Sequence, residues 1–276
     1  MSVFEERKID CHCHVLDPAR FPYAPDVAYR PVAQEIGPVH QYLQVMDAYG
    51  IERALMVAPN SGYNLDNRCL LDALELGRGR FKGIAIVGLD ADVQDLQTLQ
   101  AQGVIGVAFN PSYLGVDFYS AAEPLLRRMA QLDMVLSLQV EHDQLLAFLP
   151  MLARSEVRVL IDHCGRPAAG VGVQQAGFQA LLGCASSGRV AVKLSGFQKF
   201  SLLPPPFDDC RPYLDALLDA FTLDACLWAS DWPYLRAAHR LDVGPLLRQV
   251  ERLLPSMADR TRLFWDTPKR WLGFAN

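Results

Sequence analysis

Eight times along this chain a short apolar run is followed by a loop and then an amphipathic stretch, and that alternation limits the fold more than any other feature. The runs are KIDCHCH (8–14), RALMVAPN (53–60), GIAIVGL (83–89), VIGVAFN (104–110), MVLSLQV (134–140), VRVLIDH (157–163), VAVKLSG (190–196) and CLWASDW (226–232). Val, Ile, Leu and Ala dominate them without strict alternation, as in parallel strands covered on both faces. Between them lie helix-like stretches such as PVHQYLQVMDAYG (38–50), NRCLLDALELGRG (67–79), AAEPLLRRMAQLD (121–133) and FDDCRPYLDALLDAF (207–221). Eight such pairs in 276 residues predict a single (β/α)8 TIM barrel over residues 1–276. A doubly wound open sheet is the alternative. It normally carries a phosphate loop after the first strand, and here that place holds DCHCHVLDP (10–18).

Other signals exclude whole classes. Gly170 and Gly172 form a G-x-G in a loop after Pro-Ala-Ala, outside the strand–turn–helix context of a dinucleotide fingerprint. There is no P-loop and no G-x-S-x-G elbow. The net charge of −5, with both signs interspersed, argues against nucleic-acid and anionic-membrane partners. Seven cysteines without a CxxC pair read as free thiols in a reducing compartment. The first ten residues, MSVFEERKID, lack the apolar run of a signal peptide, and no apolar stretch reaches membrane-span length, so the expected location is cytoplasmic. Residues 15–40 and the PPPFDD stretch (204–209) are candidate lids.

The chemistry concentrates at strand ends. Residues two apart on a strand share a face, so Asp10, His12 and His14 are expected to line up inward, with Cys11 and Cys13 facing the helices. Two imidazoles so placed can converge on a metal ion or on a polar substrate atom, and Asp10 is a candidate to orient one ring. His163 ends the sixth run and Asp231 lies near the end of the eighth, both where a barrel carries its active site. Closing the barrel sets the last strand beside the first and brings Asp231 to His12 and His14. Asn60, Ser61 and Tyr63, in the loop after the second run, are candidate substrate contacts.

The motifs D-x-H-x-H (10–14), D-H-x-G-R-P (162–167) and S-D-W-P (230–233) resemble those of the amidohydrolase superfamily. The similarity lies with its amidohydrolase-2 lactonases, the branch of 2-pyrone-4,6-dicarboxylate hydrolase and sugar-lactone hydrolases. It extends to FPYAPDVAYRP (21–31) and FWDTPKRWLGF (264–274). The resemblance implies a metal-dependent-hydrolase-like TIM barrel that opens a lactone. Asp231 would be the base that activates water, and His12, His14 and His163 would polarise the carbonyl. A carboxylate in a partly dry pocket is expected to have a raised pKa, which suits that role. Arg166, Lys199, Ser61, Tyr63 and Gln139 are the implied substrate contacts, and the substrate is a carboxylated lactone from sugar or aromatic catabolism.

Departures narrow the substrate. Lys199 stands where the dicarboxylate hydrolases place an arginine, Ala108 where they place another, and Gln139 where they place a tyrosine. Fewer cations imply at most one carboxylate. Either no cofactor is required, or one divalent ion, zinc or manganese, sits on His12, His14 and Asp231. Asn110 and Gln139 at the ends of runs four and five do not supply the ligands of a binuclear centre. A metal-dependent non-oxidative decarboxylase is the alternative enzyme, and a non-catalytic small-molecule-binding barrel is a third reading. The expected partner is a small molecule, and a homo-oligomer is compatible with such a chain.

Overall fold

The computed structural model describes residues 2–275. Eight parallel strands follow one another in chain order: β1 (Lys8–Cys13), β2 (Ile51–Val57), β3 (Phe81–Ala85), β4 (Val104–Phe109), β5 (Val135–Leu138), β6 (Arg158–Ile161), β7 (Val190–Leu194) and β8 (Cys226–Trp228). Each falls within or beside one of the eight apolar runs. The main helices between and after them are α1 (Val39–Ala48), α2 (Arg68–Leu76), α3 (Val93–Ala101), α4 (Glu123–Gln131), α5 (Gln144–Ser155), α6 (Ala176–Gly183), α7 (Arg211–Ala225) and α8 (Val243–Leu253). The fold is a (β/α)8 TIM barrel. Among the described residues, no helix is long and apolar enough to cross a membrane.

Two apolar layers hold it together. Leu55 and Val57 of β2, Leu160 of β6, Ala191 of β7 and Leu227 of β8 meet inside the barrel. Their alternate neighbours, such as Met56, Val159, Val192 and Trp228, pack outward against the helices. The helices answer with stripes of 3.6-residue period. In α8 the stripe is Val243, Leu246, Leu247 and Val250. A last helix, α9 (Thr267–Leu272), ends in a tail whose Phe274 joins Trp265 and Leu272 against the inner layer. Lys82 at the start of β3 donates to the Leu272 carbonyl at 2.8 Å, and Arg158 at the start of β6 donates to that of Trp271 at 3.2 Å. The tail therefore covers the N-terminal end of the barrel and leaves the C-terminal end to the site.

The seam between β1 and β8 is built differently from the other strand pairs. β8 has only three residues. The seam closes past its end, where Asp231 N–H donates to His12 O at 2.9 Å and His14 N–H to Trp232 O at 2.8 Å. Below those bonds a side chain substitutes for the ladder. Asp10 Oδ1 accepts the backbone N–H of His12 (3.1 Å) and of Ser230 (2.9 Å), and its Oδ2 accepts from the hydroxyls of Ser230 and Tyr42.

This corrects one expectation about β1. Its register against β2 slips between Asp10 and Cys13, a bulge that interrupts the two-residue alternation. Cys11 consequently packs in the inner layer with Ile9, whereas Cys13 packs outward as expected. Asp10 points into the seam and towards α1 instead of sharing a face with the two histidines, and it orients backbone, not an imidazole ring.

Candidate active site

Past the bulge, His12 and His14 both face the C-terminal mouth, with Nε2 atoms 3.2 Å apart. Donor and acceptor logic fixes the proton of His14. His14 Nδ1 is 2.8 Å from Val57 O, which can only accept, so Nδ1 carries the proton and Nε2 a lone pair. Burial, then His12, lowers its pKa to about 3, and the ring is neutral. His12 Nδ1 lies 3.1 Å from Lys193 Nζ and 3.4 Å from Asp162 Oδ1, and its Nε2 faces His14.

Lys193 is part of this cluster, although no motif marks it. It is the penultimate residue of β7, is fully buried, and also contacts Asp162 Oδ1 at 2.8 Å and Ser137 Oγ at 2.9 Å. Burial pushes Asp162 upward, but Lys193 and then His12 hold its carboxyl well below the ordinary range. A charged residue at an inward position of an otherwise apolar strand was the available signal.

His163 lies two residues beyond β6, in a turn where His163, Cys164, Gly165 and Arg166 all have positive φ. Three of those residues are not glycine, so the turn is strained and must be over-determined by its surroundings. Gly196 is one cause. A Cβ there would come within 2.6 Å of the His163 ring, and its own φ is +64°. His163 Nδ1 pairs with Ser195 Oγ at 3.0 Å, while its Nε2 is buried without a partner. Burial lowers the pKa of this ring well below the ordinary value.

Asp231, also at positive φ, sits 3.5 Å from that nitrogen through Oδ1, which again has no hydrogen-bond partner. Its Oδ2 accepts from Gln198 at 2.8 Å and faces Lys199 at 3.0 Å. Burial pushes this carboxyl up, but the neighbouring Lys199 cation brings it below the usual carboxylate range. The expected raised pKa is therefore corrected: Asp231 is a carboxylate held ionised by a neighbouring cation.

A cavity of about 360 Å³ opens beside these groups, and neither His163 nor Asp231 lines it. His12, His14, Ser61, Gln139, Arg166 and Lys199 line it, as does Ala108. Gln139 is tied to Ser112 Oγ at 3.0 Å. Arg166 pairs with Glu141 at 2.9 Å and keeps a buried Nε without a partner. Tyr63 is not brought into the lining. A kink at Ser61 and Gly62 turns it away, and its hydroxyl accepts the Asp17 N–H at 3.0 Å under the 15–40 loop. Neither candidate lid contributes a lining residue. The PPPFDD stretch is fastened elsewhere, through Asp209 to Ser201 and the Leu202 N–H.

The donor set fits one metal ion. His12, His163 and Asp231 offer ligand atoms within 4.8 Å of one another, and His163 Nε2 and Asp231 Oδ1 have no hydrogen-bond partner. The motifs alone point to His12, His14 and Asp231 as the ligands. Here His14 Nε2 lies 3.9 Å from Asp231 Oδ1, beside the cluster.

Known proteins resemble this chain over nearly its whole length. The chain is 34% identical over 274 residues to a 4-sulfomuconolactone hydrolase of Rhizobium radiobacter, covering 96% of this chain and 89% of that one. It is 28% identical to a 2-pyrone-4,6-dicarboxylate hydrolase of Comamonas testosteroni over 95% of this chain and 88% of the other. A solved structure from Pseudomonas putida, described as a 2-pyrone-4,6-dicarboxylic acid hydrolase, superimposes with a TM-score of 0.85 at 28% identity, covering 98% of each chain. The amidohydrolase family model matches residues 9–274, from the seam strand to the closing tail, and the chain belongs to that family.

Proposed function

We propose that this chain hydrolyses the ester bond of an anionic lactone, with Asp231 as the base and His12, His14 and His163 around the carbonyl. The observation that carries the reading is the pair of orphaned buried atoms, His163 Nε2 and Asp231 Oδ1, 3.5 Å apart behind His14 and Lys199, which line the cavity and lie 3.9 Å and 3.0 Å from the Asp231 carboxylate. Buried polar groups are rarely left unpaired, and where they are, a ligand or a reacting group is the usual reason. With Ser195 donating to Nδ1, His163 presents an Nε2–H donor beside an open carboxylate acceptor. A lactone carbonyl oxygen meets the first, and the proton of an attacking water meets the second.

In the reaction so read, Asp231 takes a proton as the water oxygen bonds to the carbonyl carbon. The oxyanion is held by the imidazole N–H. Collapse breaks the ring C–O bond, and Asp231 returns the proton to the departing oxygen. Lys199 keeps Asp231 ionised between turnovers, and Arg166 offers its free Nε to an anionic substituent. A single divalent ion, if bound by His12, His163 and Asp231, would supply Lewis-acid polarisation of the carbonyl and a more acidic water. The relatives named as lactone hydrolases support the reaction class. We assign the unit of function to residues 1–276 and its location to the cytoplasm.

The test uses chelator-treated protein and its Asp231→Asn variant on carboxylated and uncharged lactones. Hydrolysis by the parent and a fall of about 10²–10⁴-fold in kcat for the variant are expected. Full activity in Asp231→Asn would remove the assigned base, and no hydrolysis of any lactone, with or without added zinc or manganese, would remove the reaction class.

A further inference from the structure

Arg236 lines the same cavity, in the loop that follows Asp231, and nothing in the motifs marks it. Its backbone is fixed by Glu35, whose Oε1 accepts the Arg236 N–H at 2.6 Å. Glu35 is itself buried, and its other oxygen accepts from the Tyr29 hydroxyl and from the Val32 N–H. The Tyr29 ring in turn lies 4.3 Å beneath the Arg236 guanidinium. The 15–40 loop thus shapes the cavity at one remove, by holding an arginine over it.

The charges around the cavity show what this arginine is left to do. Lys193 is matched to Asp162, Lys199 to Asp231, and Arg166 to Glu141. Among the described residues Arg236 makes no ion pair, although it lies beside a half-neutralised arginine. Burial lowers the Arg166 pKa, Glu141 and Asp231 oppose that, and Arg236 adds to the lowering, so the two guanidiniums feel each other. Two cations held towards one cavity repel unless an anion comes between them. Planar guanidiniums suit carboxylate and sulfonate oxygens.

We infer that Arg236, with the free Nε of Arg166, forms a two-arginine clamp for an anionic substituent of the substrate, and that Arg236 sets specificity for charged over uncharged lactones. The inference rests on the lactone-hydrolase reading. It also revises the substrate expected from the motifs. The cation missing at Ala108 is supplied from the loop after β8, so the limit of one carboxylate on the substrate no longer follows.

The experiment compares Arg236→Gln and Arg236→Lys with the parent on three probes: a butenolide with a carboxymethyl arm, its methyl ester, and the carboxymethyl butenolide with a ring sulfonate. Arg236 is exposed and its backbone contact survives substitution, so the variants are expected to melt with the parent. For the clamped anion KM should rise about tenfold or more in Arg236→Gln, with kcat within about twofold and partial rescue by lysine. A rise for both charged probes identifies the carboxylate as the clamped group. A rise confined to the sulfonated probe identifies the sulfonate. Equal changes on all three probes, or none, would overturn the clamp while leaving lactone hydrolysis intact. A parent enzyme that opens none of the three would instead count against the reaction class.

Discussion

Lys193 shows how much of this site depends on one side chain. Its side-chain nitrogen touches Asp162, Ser137 and His12 Nδ1, so it neutralises a buried carboxylate and fixes the position of the His12 ring. Lys193→Met leaves Asp162 buried and uncompensated, a loss of about 3–5 kcal/mol by denaturant unfolding. Adding Asp162→Asn should restore much of that stability and none of the activity, because the His12 ring still lacks its Lys193 contact. Lys199 makes the complementary case at Asp231. In chelator-treated parent, kcat/KM should stay flat from neutral down to about pH 4, because Asp231 stays ionised through the ordinary carboxylate range. Lys199→Met removes the strongest influence that lowers it, so an acid limb should appear at higher pH. An unchanged profile would mean that Asp231 is not the titrating base. The histidines and Asp231 were readable as types at strand ends. Arg236 was not, because its direction comes from Glu35 and Tyr29, some 200 positions away in the chain.

At the scale of elements, the eight strands were legible because apolar runs survive any register, whereas the face a residue occupies does not. Period-two counting placed Asp10 inward and Cys11 outward, and a single bulge reverses both. Likewise the turn after β6 could not be read as strained, since positive φ at His163, Cys164 and Arg166 has no signature in the residues themselves. Its support is visible only in space, at Gly196. Gly196→Ala should push the His163 ring out of line, lowering kcat about ten- to a hundredfold while circular dichroism stays that of the parent. Retention of full activity would show that the ring position is not critical. Tyr63 makes the same point from the other side, since its neighbour Ser61 reaches the cavity and a local kink sends Tyr63 away.

Across the whole molecule, the barrel is closed by a carboxylate at the one pair of strands too short to close by ladder alone. Asp10→Ala would orphan the N–H groups of His12 and Ser230, at about 1–3 kcal/mol each, so thermal and denaturant unfolding should show a loss of roughly 2–6 kcal/mol. Asp10→Asn keeps the accepting oxygen and should lose far less. Equal losses in the two variants would mean that volume, not the hydrogen bonds, matters there. The residues on either side of this closure are the ones that do the chemistry: Asp10 is followed by His12 and His14, and Ser230 by Asp231. In hydrogen exchange, the amides of His12, His14, Ser230 and Asp231 should therefore open only when the entire barrel opens. Such an enzyme has no half-working form: heat or denaturant removes its activity and its fold in one cooperative step.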